Sequence, residues 1–164
     1  MPGQHPTLDD WSDHLTTLFP EVRMKRFLEM RGADGGRWRR ICALPAYWVG
    51  LLYDESALDA AWDLVKEWTA EEREALRNAV PREAFAARFR GTTVLDIARE
   101  TLMISESGLK NRRRFNIRNE NETVYLRPLH ELVAAGRTVA DELLERYEGP
   151  WRRNIDHVFE EIAF

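Results

Sequence analysis

Glu29 and Arg31 stand two residues apart in the run Arg26-Phe27-Leu28-Glu29-Met30-Arg31, directly before the tract Gly32-Ala33-Asp34-Gly35-Gly36. On an extended backbone that spacing sends both side chains to the same face. A carboxylate beside a guanidinium suits phosphoryl chemistry. The carboxylate can hold Mg²⁺ through a hard oxygen, and the guanidinium can clamp phosphate oxygens with its planar fork. The glycines that follow leave room for a ligand to approach the backbone. On spacing alone the same residues also describe a solvated Glu–Arg pair before a turn, which is the commoner outcome and contributes little energy.

No other cluster competes for chemistry. His5, His14, His130 and His157 are scattered without metal-ligand spacing. No Walker loop, dinucleotide fingerprint or nucleophile elbow occurs. The basic run Lys110, Arg112, Arg113, Arg114 and Arg118 has only Phe115 as a stacking platform and reads as a solvated loop. A formal net charge of -4 also argues against a nucleic-acid partner. The longest apolar run, residues 41–53, is broken by Pro45 and Gly50 and falls short of the roughly 20 residues a membrane span needs. The single cysteine, Cys42, excludes an internal disulfide framework. With no apolar signal core in the first residues, the expectation is a cytoplasmic protein.

Around this motif the chain reads as mostly helical. Thr7 with Asp10 caps a helix carrying Leu8, Trp11, Leu15 and Leu18 at helical spacing. Residues 22–31 alternate instead: Val22, Met24, Leu28 and Met30 on one side, Arg23, Lys25, Phe27, Glu29 and Arg31 on the other, with Arg26 as the exception. This predicts one strand with a buried apolar face. About six helices follow, giving an α+β chain. The first, residues 38–53, has a wide stripe of Trp38, Ile41, Leu44, Trp48, Leu51 and Leu52, and Pro45 bends or divides it. Ser56 opens another. Thr69 with Glu72 caps one that ends before Pro81. Thr93 with Asp96 starts one running to about Leu109 on Leu95, Ala98, Leu102 and Ile104. Pro128 and Gly136 bound the next, Thr138 with Asp141 caps another, and a short one lies near 156–162. The six tryptophans read as core and interface anchors. At 164 residues the chain has the length of one ordinary domain, and 44% hydrophobic with 32% charged residues is a globular balance. A lone strand cannot satisfy its own backbone groups. Within the chain only 85–90 and 123–126 are weak candidates for partners, and the rest of the sheet is expected in polypeptide outside it.

The stretch Phe19-Pro20-Glu21-Val22-Arg23-Met24-Lys25-Arg26-Phe27-Leu28-Glu29-Met30-Arg31-Gly32-Ala33-Asp34-Gly35-Gly36 closely resembles the glutamate–cysteine ligases of plants and alphaproteobacteria. The likeness continues through Trp38-Arg39-Arg40-Ile41-Cys42-Ala43-Leu44-Pro45-Ala46-Tyr47-Trp48, through Trp68-Thr69-Ala70-Glu71-Glu72-Arg73 and Ala140-Asp141-Glu142-Leu143-Leu144-Glu145-Arg146-Tyr147, and to Val158-Phe159-Glu160-Glu161. Family members are much longer, so the resemblance implies that residues 1–164 are the C-terminal part of a catalytic domain whose N-terminal part is absent.

What the resemblance implies is the first step of glutathione biosynthesis. ATP phosphorylates the γ-carboxylate of L-glutamate, and the amine of L-cysteine then displaces phosphate. It further implies Mg²⁺ as cofactor with Glu29 as a metal ligand, Arg31 as the phosphate contact, and a curved antiparallel sheet to which the 22–31 strand belongs. Arg37 departs from the family, standing where a proline is expected after the two glycines. The cysteine matching Cys42 pairs in plant relatives with one in the absent part; here a buried structural thiol is expected. The competing reading is a non-catalytic helical interaction module descended from the same enzyme, docking through an exposed strand edge.

Overall fold

A computed structural model describes residues 5–33 and 35–161. The chain divides into two compact units, Met1–Gly35 and Gly36–Phe164.

In the first unit, Thr7 caps helix α1 (Leu8–Thr16) as its spacing predicts: Asp10 N–H donates to the Thr7 hydroxyl, and Thr7 N–H donates to the Asp10 carboxylate at 2.7 Å. No residue of α1 is buried, and its apolar stripe is open, with Leu8 84% and Trp11 58% exposed. The alternating segment then corrects the expectation of one strand over 22–31. It is a hairpin, β1 (Val22–Met24) against β2 (Leu28–Met30), antiparallel in the register Val22↔Met30, Arg23↔Glu29 and Met24↔Leu28. The cause lies in the residue that broke the alternation. Arg26 falls in a three-residue bend, across which Lys25 N–H donates to Phe27 C=O at 2.9 Å. Each half therefore pairs the other's inward-facing backbone groups, and Arg31 N–H extends the ladder to Glu21 C=O at 2.8 Å.

The second unit is helical around a single close crossing. The predicted 38–53 helix is divided, into α2 (Trp38–Ile41) and α3 (Ala43–Leu52). Pro45 has no N–H to offer Ile41 C=O, and it sits in the first turn of α3, where none is needed. Cys42 lies at this break and is exposed, not the buried thiol expected. Helix α4 (Glu55–Val65) is capped by Asp54, two residues ahead of the expected Ser56. Helix α5 (Ala70–Glu83) has the predicted Thr69–Glu72 capping box but runs through Pro81. Only the bond to Arg77 C=O is forfeited there, because Ala84 N–H still closes onto Val80 C=O.

A small second hairpin follows, β3 (Arg88–Phe89) with β4 (Thr92–Thr93). Its first strand lies within the weak 85–90 candidate but pairs locally, forming a sheet separate from β1–β2. Helix α6 (Val94–Arg112) carries the Thr93–Asp96 box and ends with Arg113 in the left-handed region. Residues 123–126 are not a strand. They lie in a 3-10 turn, Glu122–Leu126, wound by the Asn121 side chain accepting from Thr123 N–H at 3.0 Å. Helices α7 (Arg127–Ala135), α8 (Val139–Glu148) and α9 (Asp156–Glu161) complete the chain, with Pro128, Gly136 and Thr138 in their predicted capping places. The fold is thus α+β and mostly helical.

The core is the α3–α6 crossing, built on small residues. Ala43, Ala46, Gly50 and Leu51 of α3 are buried, as are Leu102, Ser105, Gly108 and Leu109 of α6. A Cβ on Gly108 would stand 2.0 Å from Gly50 C=O, so only glycine permits this approach. Ser105 donates to Tyr47 C=O at 2.9 Å, which satisfies the one buried hydroxyl of the interface. Leu126 packs into the same cluster, with Tyr47, Val49, Leu129 and Val133 around it. Of the tryptophans, Trp151 is buried, its indole donating to Glu161, whereas Trp11, Trp38 and Trp62 are exposed rather than core anchors.

Candidate functional site

The β1–β2 register sorts the hairpin into two faces. Val22, Met24, Leu28 and Met30 pair on one, and Arg23 faces Glu29 on the other. The apolar face is open, with Met24 83% and Leu28 58% exposed. The polar face is the more sheltered: Arg23 and Glu29 are half-buried.

Glu29 is held by two cations, neither of which is Arg31. Arg23 Nη1 lies 3.9 Å and Lys25 Nζ 3.4 Å from Glu29 Oε2. That oxygen is shielded from solvent yet accepts no hydrogen bond, and the Arg23 Nε is likewise buried without a partner. Arg23 is fixed from behind, its Nη2 donating to Leu18 C=O at 2.7 Å. Glu29 keeps 34% of its side chain exposed, and Oε1 accepts no hydrogen bond from the described residues. One oxygen is thus tethered electrostatically while the other stays open.

Arg31, at the same parity two residues on, lays its guanidinium over the Phe19 ring at 5.0 Å from the centroid. A simple Glu29–Arg31 surface pair is not what the structure contains. Of the glycine tract, Asp34 lies outside the described residues. A Cβ on Gly35 would meet nothing, and one on Gly32 or Gly36 only ordinary contacts at 3.7–3.9 Å, so packing within this chain does not demand glycine there.

Lys25 and Arg23 were missed as members of the site. The signal was present in the alternation, which places both on the side of Glu29 and Arg31. What the sequence did not convey was the bend that brings them across from Glu29.

A groove of about 410 Å³ lies between α5 and β3, lined by Leu76, Ala79, Glu83, Arg88 and Phe89. Arg90 closes one end by gripping Glu72 through Nε at 2.7 Å and Nη2 at 2.6 Å. The guanidinium holds that carboxyl down at about 2, well below the usual range. None of the predicted site residues reaches this groove. No group of three or more His, Cys, Asp or Glu among the described residues could close around a metal ion, and no described helix is long and apolar enough to cross a membrane.

The hairpin thus presents a carboxylate and several cations on one face, beside an open glycine tract. The chain belongs to glutamate–cysteine ligase family 2 (GCS2), whose sequence model matches residues 2–161. It is 50% identical over 164 residues to the chloroplastic glutamate–cysteine ligase of Nicotiana tabacum, and 48% identical over 164 residues to that of Arabidopsis thaliana. Against glutamate–cysteine ligase A, chloroplastic, of Oryza sativa subsp. indica it is 50% identical over 163 residues. All or nearly all of this chain is covered each time, but it spans only 30–32% of the length of these relatives. The expectation of a cytoplasmic location does not stand, since these relatives are named as chloroplastic enzymes. That expectation rested on the first residues of a chain that aligns with under a third of each relative, and so carried no information about a leader.

Proposed function

We propose that this chain is the C-terminal part of an ATP-dependent glutamate–cysteine ligase, and that its hairpin supplies one corner of the phosphoryl-transfer site. The observation that carries the reading is the near-50% identity to glutamate–cysteine ligases along the whole chain. In the reaction, the γ-carboxylate oxygen of L-glutamate takes the terminal phosphoryl group of ATP, releasing ADP. The amine of L-cysteine then attacks the acyl carbon, phosphate leaves, and the amine proton passes to solvent as γ-glutamylcysteine forms.

The donors of the hairpin suit Mg²⁺ at one point only. Glu29 fits as one hard ligand, since Oε1 is open and Oε2 is shielded without a hydrogen-bond donor. A single carboxylate does not make a site, so the remaining ligands come from the N-terminal part of the enzyme. Mg²⁺ bound there would supply charge neutralisation for the phosphates. Arg23 keeps the carboxylate turned to its open face. Arg31 offers a planar fork to the transferring phosphate, and its rest over Phe19 leaves the N–H edges free of any carboxylate clamp from Glu29. The glycine tract lets phosphate or substrate lie close to the backbone.

The test is phosphate release dependent on ATP, L-glutamate and L-cysteine, by the 164-residue chain alone and mixed with the N-terminal two-thirds of a plant relative. The expected result is no turnover alone, because one metal ligand and one phosphate contact do not make a preorganised site. Turnover should appear on mixing. Robust γ-glutamylcysteine synthesis by the chain alone would overturn the incomplete-site reading. Failure of any mixture to turn over, with both parts folded, would favour the non-catalytic module.

A further inference from the structure

The two cations beside Glu29 are held differently. Arg23 is 20% exposed and anchored to Leu18 C=O, so it cannot leave without breaking the hairpin's base. Lys25 sits in the bend and is 46% exposed. Its ammonium makes no hydrogen bond to a described residue, resting 3.4 Å from Glu29 Oε2 and 5.9 Å from the Phe27 ring centroid. Its four-carbon stem can redirect the charge over several ångströms at little cost.

A divalent cation on Glu29 would face both of these charges at close range. One is immovable and one is free, and the compensating anions nearest to hand are the phosphates bound with that cation. On the reading that Glu29 is a metal ligand, we propose that Lys25 is a phosphate-contacting residue that exchanges counterions. It neutralises Glu29 while the carboxylate is bare, and turns to the nucleotide's phosphate oxygens once the carboxylate is occupied. Arg23 stays behind as the residue that positions Glu29. The exchange keeps the polar face close to charge balance in both states.

Lys25→Met should therefore act in opposite directions on two ligands. Removing a cation 3.4 Å from the carboxylate strengthens divalent-cation binding, and removing a phosphate contact weakens polyphosphate binding, each by about fivefold for one charge near a solvated surface. The experiment uses a complete ligase carrying this segment, with the segment ¹⁵N-labelled, followed by amide spectra. Mn²⁺ is titrated for paramagnetic broadening around Glu29 to Arg31, and inorganic tripolyphosphate is titrated at saturating Mg²⁺.

Opposite shifts in Lys25→Met, with near-wild-type behaviour in Lys25→Arg, support the proposal. Shifts in the same direction, or none, overturn it, as would loss of the hairpin's amide pattern in Lys25→Met, which would make Lys25 a structural residue. Glu29→Gln separates this failure from that of the underlying reading. If broadening persists in Glu29→Gln, Glu29 is no ligand and both fall. If it vanishes there while Lys25→Met changes nothing, only the role of Lys25 is lost.

Discussion

The hairpin that bears Glu29 and the α3–α6 crossing are built on opposite principles. The crossing owes its strength to small residues: Gly50, Ser105 and Gly108 let two helices touch backbone to backbone, and Leu109 and Leu126 are sealed completely beneath them. The hairpin has three residues to a strand, two cross-strand apolar pairs of which Val22, Met24 and Leu28 are exposed, and cations arranged around one carboxylate. The first region carries stability and no chemistry; the second carries candidate chemistry and almost no burial of its own. The contrast teaches that a local register can group charged side chains on one face without a buried core of its own beneath them.

The sharpest way to break the comparison is to make the crossing fail. Gly108→Ala sets a methyl 2.0 Å from Gly50 C=O, where backbone and not a flexible side chain must give. The expected cost is about 3 kcal/mol or more. Leu109→Ala, at a site with no exposure, should cost about 2–5 kcal/mol. Met24→Ala on the hairpin should stay within about 0.5 kcal/mol. Urea midpoints at a constant slope check all three. Equal losses at Met24 and Leu109 would mean that the hairpin is far better buried than its exposure indicates.

A matching experiment reverses the ranking by reading activity. In a complete ligase carrying this segment, Glu29→Gln removes the charge of the proposed metal ligand, and Arg31→Lys keeps charge but loses the fork. Each is expected to lower turnover by about 10²–10³-fold, with Glu29→Gln also shifting the Mg²⁺ requirement. Stability should move by at most about 1 kcal/mol. Near-normal turnover in both would remove the hairpin from the catalytic site, and the contrast between the two regions would lose its functional half.

A third effect, smaller, concerns the exposed surfaces themselves. Leu8, Trp11, Met24 and Leu28 leave apolar stripes open on α1 and the hairpin. The isolated chain should self-associate with rising concentration, and Trp11→Glu should shift it toward monomer in sedimentation runs without changing helix content. A monomer at every concentration would show that these stripes are too small to drive association.

Much of this was legible in the sequence, and the failures have identifiable causes. All four capping boxes predicted, at Thr7, Thr69, Thr93 and Thr138, are formed, because each rests on local hydrogen bonding alone. The parity of Arg23, Lys25, Glu29 and Arg31 was also legible, as it needs only an extended backbone. The bend at Arg26 was not, although the single break in the alternation marked it. The core was misjudged for another reason. Of the wide apolar stripe read on the 38–53 helix, Leu51 is buried but the large residues Trp38, Ile41 and Leu44 are exposed, while Ala43, Ala46 and Gly50 are buried. Apolar periodicity ranks residues by size, whereas a close helix crossing selects the smallest. Nothing in the local pattern announces that choice until the partner helix, with Ser105 and Gly108, is known.

The smallest expected effect lies at the join of α5 and β3, where Arg90 binds Glu72. The Arg90 guanidinium is the main cause and Thr69 N–H the second of a carboxyl held at about 2, below its ordinary 4.5. A depressed folded-state value means that the contribution is fully present above about pH 4.5 and is lost as pH falls toward 2. The Glu72 side chain is 33% and that of Arg90 39% exposed, so solvent screens much of the pair, and the effect on melting temperature should be modest and shrink with added salt. Glu72 has a second task as the third residue of the capping box, returning a bond to Thr69 N–H at 2.9 Å. Glu72→Gln keeps that acceptor and removes the charge, and Arg90→Met removes only the cation. If the ion pair carries the pH dependence, both variants should flatten the melting profile between pH 2 and 4.5 and leave α5 helical. A flattened profile in Glu72→Gln alone would assign the dependence to the helix N-terminus, whose dipole also favours a charged carboxylate, and would leave Arg90 as packing for the groove beside Phe89.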